Sequence, residues 1–158
     1  MRLFNNPGSI LTLNFEAILS NPSMVFSSSL DLIVEVRECI VGEALGADGS
    51  CTQCEPGKYL LELSEQPQVC SDCLANADCF GGAMLAPSPG YWRPSNNSVY
   101  IYECYVKSAC IGSSDPAVSG ISSYSPLGDC HPSYEGRLCA QCKEGFTRNS
   151  HFQCSKCP

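Results

Sequence analysis

The chain has 158 residues, a formal charge of −7 and thirteen cysteines. Its acidity excludes nucleic acid as a partner, because no basic patch exists to replace phosphate counterions. Thiols at this density mark an exported disulfide scaffold, since the cytosol keeps cysteines reduced.

Residues 1–38 contain no cysteine, yet 15 of them are Leu, Ile, Val or Phe. Met1-Arg2-Leu3 resembles the start of a signal peptide, but Asn5, Asn6, Pro7 and Gly8 interrupt any apolar stretch behind it. The 10–19 stretch carries Asn14 and Glu16. No run approaches the roughly 18 apolar residues of a membrane-spanning helix. The expectation is an internal piece of a longer exported protein. Within this segment Leu11, Leu13 and Phe15 alternate with Thr12 and Asn14, and Leu32, Val34 and Val36 alternate with Asp31, Glu35 and Arg37. Period-two patterning predicts half-buried strands over 10–15 and 30–37. Asn21-Pro22-Ser23 and the serine run at 27–29 read as loops or turns. Two or three strands make a poor sheet alone. They are expected either to end a larger β domain or to dock on the cysteine-rich part of the chain, with a boundary at residues 37–39.

From Cys39 onward the material changes. Leu, Ile, Val and Phe supply only 20 of 120 residues, while Gly and Pro supply 21. That composition favours turns and short irregular segments and buries too little apolar surface to offset chain entropy. Cross-links fill the gap by restricting the unfolded chain. The predicted fold class is therefore small and disulfide-rich, built of loops and short β-strands, preceded by a few strands of a partial β domain. The boundaries are 1–38, 39–80, 81–129 and 130–158.

Cys51-x2-Cys54-x15-Cys70-x2-Cys73 also has the spacing of a four-cysteine zinc site, and Cys139, Cys142, Cys154 and Cys157 nearly repeat it. Two such sites would leave five cysteines without a role in a reducing compartment, and nucleic-acid-binding zinc modules are usually basic. Cytosolic zinc binding through Cys51, Cys54, Cys70 and Cys73 is thus the alternative, and disulfides are the expectation. No βαβ pattern surrounds any CxxC pair, which removes a thioredoxin-like reading.

In the middle of the chain, 87–90 and 112–116 are loops by composition, and 99–106, with Tyr100, Tyr102 and Tyr105, is strand-like. Asn96-Asn97-Ser98 is an N-glycosylation acceptor. Tyr91, Trp92 and Arg93 form the most suggestive cluster. An exposed aromatic beside Arg makes a common interface anchor, but in a core-poor module Trp92 is better employed covering disulfides. Enzyme chemistry finds no support: His131 and His151 sit among loop residues, Glu135 and Glu144 are solvated, and no nucleophile elbow or phosphate loop occurs. No catalytic residue, cofactor or resident metal is expected.

Cys51-Thr-Gln-Cys54-Glu-Pro-Gly-Lys-Tyr59 followed by Cys70-Ser-Asp-Cys73 resembles the ephrin-receptor-type cysteine-rich repeat. Cys130-His-Pro-Ser-Tyr134-Glu-Gly136-Arg-Leu-Cys139-Ala-Gln-Cys142-Lys-Glu-Gly145-Phe146 resembles the closing half of an EGF or laminin-type EGF module. With Arg37-Glu-Cys-Ile-Val-Gly-Glu43, Gly90-Tyr-Trp-Arg93 and Ser108-Ala-Cys-Ile-Gly112, the run over 37–157 is similar to the cysteine-rich juxtamembrane regions of large protist surface proteins. The resemblance implies a structural or interaction module of a receptor or adhesin at the cell surface. It would meet a protein or glycan ligand and be tethered to a membrane through sequence beyond this chain. A complete EGF unit has six cysteines, and the unit at Cys130 supplies only the later ones; no calcium signature precedes it.

Short loops rich in Gly, Pro or Asn favour sequential pairing: Cys39–Cys51, Cys54–Cys70, Cys73–Cys79, Cys104–Cys110, Cys130–Cys139 and Cys142–Cys154. The Cys130–Cys139 loop also resembles the last bridge of EGF units. Overlapping pairs such as Cys51–Cys70 with Cys54–Cys73 stay open on spacing alone. The odd count leaves one thiol for a partner outside the segment, with Cys157 the best candidate.

Overall fold

The computed structural model describes residues 8–21, 24–63, 67–120 and 123–157. The leader-like residues 1–7 lie outside that set, as do Pro22 and Ser23 of the predicted turn. Two long strands, β1 (Ile10–Asn21) and β2 (Met24–Glu35), form an antiparallel ribbon. The register sets Leu11 opposite Val34, Leu13 opposite Leu32 and Phe15 opposite Leu30. The two predicted apolar alternations therefore share one face. On the other, Asn14 Nδ2 donates to Asp31 Oδ1 at 2.6 Å.

The serine run at 27–29 is not a loop. It lies inside β2, opposite Ile18, Ala17 and Glu16. Backbone pairing with β1 carries the strand through it, whatever the weak β-propensity of serine.

Beyond the ribbon, strands shrink to two to five residues. β3 (Glu43–Leu45) pairs β4 (Cys51–Gln53), and β5 (Lys58–Tyr59) pairs β6 (Ser71–Asp72). β7 (Ala77–Gly81) pairs β8 (Met84–Pro87), and β9 (Tyr91–Trp92) pairs β10 (Tyr102–Glu103). β11 (Cys110–Gly112) pairs β12 (Asp129–Cys130), with the short helix α1 (Pro116–Ser119) between them. β13 (Tyr134–Glu135) pairs β14 (Gln141–Cys142), and β15 (Phe146–Arg148) pairs β16 (Cys154–Lys156). Every sheet among the described residues is two-stranded and antiparallel. This is a disulfide-rich fold of loops and short strands, as composition predicted. The strand-like run over 99–106 yields only β10. Tyr102 finds Trp92 across the ladder, whereas Tyr100 N turns back to Ser98 Oγ at 3.0 Å and the Cys104–Cys110 bridge folds the chain into a 3-10 turn at Lys107–Ala109.

Two-stranded sheets of this size do not stand alone, and six bridges staple them. The bonds are Cys39–Cys51, Cys54–Cys70, Cys73–Cys79, Cys104–Cys110, Cys130–Cys139 and Cys142–Cys154, with Cα separations of 5.4–6.5 Å. Each links a cysteine to the next one in sequence, so the overlapping arrangement is not the one adopted. The sulfurs also build the interior. One core gathers Cys104, Ala109, Cys110, Tyr134 and Cys139, with Trp92, Val106, Cys130 and Cys154 against it. The other gathers Tyr59, Cys79 and Leu85, flanked by Leu61, Cys73, Leu74, Ala77 and Ile101. Each draws on residues far apart in sequence: the first reaches from Trp92 to Cys154, the second from Tyr59 to Ile101.

Near the start of the stapled body, backbones touch where a side chain would not fit. Gly42 has φ +92°, and a Cβ there would lie 2.4 Å from Ala83 N; Gly81 has φ +93° and would meet Cys54 O at 2.8 Å. Glycine permits both the left-handed backbone and the approach. Gly82 N then donates to Cys54 O at 2.8 Å and Cys54 N to Gly42 O at 2.9 Å.

Candidate functional site

A cleft of about 470 Å³ opens beside the Tyr134 core. Its inner surface comes from Val106, Tyr134, Cys139 and Ala140, and its exposed rim from Tyr105, Arg148, His151 and Phe152. Tyr134 is held in place on both sides. Its hydroxyl accepts from Cys154 N at 3.0 Å, and the His131 ring stands edge-on to it with centroids 6.0 Å apart. Cys139 reaches the cleft through a tight turn in which Leu138 and Cys139 both have positive φ, 57° and 48°. The Cys130–Cys139 bridge fixes that turn.

The rim is built by the turn joining β15 to β16. Asn149 Oδ1 accepts from His151 N at 2.9 Å and from Gln153 N at 3.0 Å, and Phe152 N donates to Asn149 O at 3.0 Å. This Asn-built turn presents His151 and Phe152 outward. Phe152 lies at φ 62° and is 72% exposed. A bulky L-residue in the left-handed region costs local energy, and so does an aromatic ring left in water. Arg148, at the end of β15, donates Nη2 to Ala140 O, which steadies the guanidinium at the rim. Among the described residues no carboxylate pairs with it. Tyr105, 86% exposed, completes the aromatic edge.

The Tyr91–Trp92–Arg93 cluster turns inward. Trp92 is half-buried against the core of Cys104, Cys110, Tyr134 and Cys139. Arg93 is wholly buried, and among the described residues no carboxylate pairs with it. Its guanidinium donates to four backbone carbonyls: Leu85 O, Asn96 O, Ser98 O at 2.7 Å and Pro126 O at 3.4 Å. Tyr124 Oη adds a bond to Leu85 O at 3.1 Å. Burial pulls the Arg93 pKa below the ordinary arginine value, and the nearby tyrosines Tyr124 and Tyr59 oppose the shift. Arg93 is thus a hub joining three chain segments.

The zinc alternative fails on connectivity. Cys51, Cys54, Cys70 and Cys73 enter three different disulfides, so none offers a thiolate. Among the described residues one trio stands close enough to share a metal, Cys39, Glu43 and Cys51. Two of its members are bridged to each other, and Arg37 engages the third. His131 bonds Ser133 Oγ through Nδ1 at 2.9 Å, while His151 sits at the cleft rim, so the two histidines are not brought together. Glu135 and Glu144 are exposed, and Asn96 lies in an exposed loop. Cys157 is exposed and unbridged.

Residues 126–157 match a family described as a domain of unknown function, DUF7630. That stretch supplies Tyr134, Cys139, Ala140, Arg148, His151 and Phe152 of the cleft; Tyr105 and Val106 precede it. No curated protein and no solved structure matches the chain. The C-terminal part is a small cysteine-rich domain, stabilised by disulfides typical of extracellular proteins.

Sequence reasoning reads Tyr105 only as part of a strand, passes over Arg148 and Phe152, and assigns Arg93 no structural role. One signal is present: turn tips are usually polar, and the run Asn149-Ser-His-Phe152 places an aromatic ring in one.

Proposed function

We propose that this protein is a non-enzymatic, extracellular interaction module of a larger cell-surface protein of receptor or adhesin type. The observation that carries the reading is that the interior is made of cystine: both cores are organised around bridged sulfurs. Disulfides form and persist in oxidising compartments, which supports the extracellular setting. The exposed, unbridged Cys157 supports a covalent partner elsewhere in the parent protein. The ribbon supports a neighbouring β domain, because Ile10, Val25, Leu30 and Ile33 each leave about two-thirds or more of their surface in water. Left-handed Gly136 and Gly145 at the turns around β13, β14 and β15 support the EGF-like or laminin-like module type. The ephrin-receptor-like resemblance of 39–80 and a membrane tether belong to the same proposal, as does an N-linked glycan on the exposed Asn96. The ligand of such a module would be a protein or a glycan.

The test is expression of the chain through a eukaryotic secretory pathway, with mass analysis before and after reduction. Six intact bridges, no bound metal and a glycosidase-sensitive mass at Asn96 are expected. Stoichiometric zinc on free thiols overturns the reading.

A further inference from the structure

We propose that the cleft beneath Tyr105 and Phe152 binds a short acidic peptide segment of another protein, with an apolar side chain entering the cleft and neighbouring carboxylates meeting Arg148. This rests on the interaction-module reading and names the partner chemistry of its site. Three observations lead to it. The first is the cost incurred at Phe152, which combines a positive φ with 72% exposure of a phenyl ring. Strain of this kind persists where surrounding structure enforces it and collects at ligand clamps. Here Asn149 enforces it through the bonds to His151 N and Gln153 N.

The second is charge. Residues 130–158 carry Arg137, Lys143, Arg148 and Lys156 against Glu135 and Glu144, whereas residues 1–129 hold five cationic side chains against fourteen carboxylates. A chain that is acidic overall thus holds its cationic surplus in the segment that supplies Arg148 to the cleft rim. Among the described residues no Asp or Glu lines the cleft, and Arg148 engages one carbonyl partner with its five N–H donors. An Arg steadied in this way is well suited to a carboxylate fork.

The third is the character of the walls, which separates peptide from sugar. None of the lining residues is Asp, Asn, Glu or Gln, and the Tyr134 hydroxyl is already engaged. Sugar hydroxyls reaching the inner wall of Val106, Cys139 and Ala140 would lose water and find no side-chain partner there, which is unfavourable. An apolar side chain enters without that loss. About 470 Å³ suits a segment of a few residues, at the smaller end of ligand clefts.

The test selects a random linear peptide library on the intact, oxidised chain, with the Phe152→Gly variant as the subtracting surface. Enriched peptides are then synthesised and titrated by fluorescence anisotropy. Expected are sequences in which an aromatic or branched aliphatic residue neighbours Asp or Glu. Their binding should weaken at least tenfold in Phe152→Gly and in Arg148→Glu, and fall with added salt. Phe152→Gly suits its backbone better than the native residue, so its melting midpoint stays level or rises and lost binding cannot be blamed on unfolding. Absence of enrichment over the variant, enrichment of neutral or basic sequences, or equal binding by both variants overturns the proposal. So does a printed array in which an anionic glycan, and no peptide, loses binding in both variants. In each of these outcomes a chain that retains six bridges and no zinc leaves the module reading standing.

Discussion

The ribbon at 10–35 and the stapled body from Cys39 onward are opposites. The ribbon has two twelve-residue strands in unbroken register, but no cysteine, and its apolar side chains stand largely in water. The body has strands of two to five residues, yet Leu85, Ala86 and Ala109 are completely buried. Hydrogen-bond ladders exchange water for backbone partners at modest net gain. Burial and cross-linking decide stability, so the less regular half is the firmer one.

Reduction is the strongest way to break this contrast. Bridges close loops with sequence separations of 6 to 16 residues. The longest, Cys54–Cys70, contributes about 3 kcal/mol by the chain-entropy model. Several such contributions exceed the roughly 5–15 kcal/mol that holds a domain folded. Amide exchange should therefore show slow protons in both cores under oxidising conditions, and global loss of that protection once the bridges are reduced. A strong chelator should change nothing. The ribbon's amides should exchange fast before and after; slow exchange there, with a labile body, would reverse the comparison.

Arg93 sharpens it, because it shows how the body makes up for absent aliphatics. Replacing Arg93 with Met keeps bulk but leaves the carbonyls of Asn96, Ser98 and Pro126 without their side-chain donor, while Leu85 O keeps Tyr124 Oη. At about 1–3 kcal/mol for each buried group left unpaired, the loss should reach 3 kcal/mol or more in denaturant titrations. Lys should not rescue it, since a single ammonium cannot span a fork of four acceptors.

Legibility in the sequence divides along the same line. Cysteine spacing and low aliphatic content carry the fold class, because both act locally along the chain. The alternation of Leu11, Leu13 and Phe15 with Leu32 and Val34 marks the shared ribbon face. The serine run misleads because propensity is local, while the strand there is imposed by the register opposite Ile18, Ala17 and Glu16. Residues 99–106 mislead the other way: β-propensity is present, but only Tyr102 and Glu103 find a partner strand. Arg93 is illegible because its acceptors are backbone carbonyls, up to 33 residues away, that no side-chain pattern marks. The cleft is hidden for a similar reason, since Tyr105 and Phe152 meet only through the folding of three bridged loops.

Trp92 comes next in size. Its indole packs on the Cys104, Cys110, Tyr134 and Cys139 core but is only half-buried. Trp92→Ala should then cost about 2 kcal/mol, below the usual range for a fully buried ring, and lower the yield of secreted protein. An unchanged melting midpoint with loss of a binding partner would instead make the residue an interface anchor.

The smallest effect lies at the joint between the two regions. Arg37, just after β2, grips Glu43 at the start of β3 through Nη1 to Oε2 and Nη2 to Oε1, both 2.7 Å, while Ile40 N donates to Glu43 Oε2 at 3.1 Å. The Arg37 bonds hold the Glu43 carboxyl below the ordinary glutamate value, and partial burial works against them. A folded-state pKa that is depressed adds stability above the unfolded-state value, and that stability is lost as pH falls through the folded-state value. The clamp is therefore complete at neutral pH and fails only in acid, below the usual carboxylate range. Because Arg37 stands in solvent, screening keeps the effect on global melting slight. Glu43→Gln should leave the core midpoint nearly unchanged at neutral pH while making the Ile40 and Glu43 amides exchange faster. It should also abolish the further acid loosening of those two amides that the native chain shows. If acid loosens them equally in the variant, the ribbon is held at this joint by something other than the Arg37–Glu43 pair.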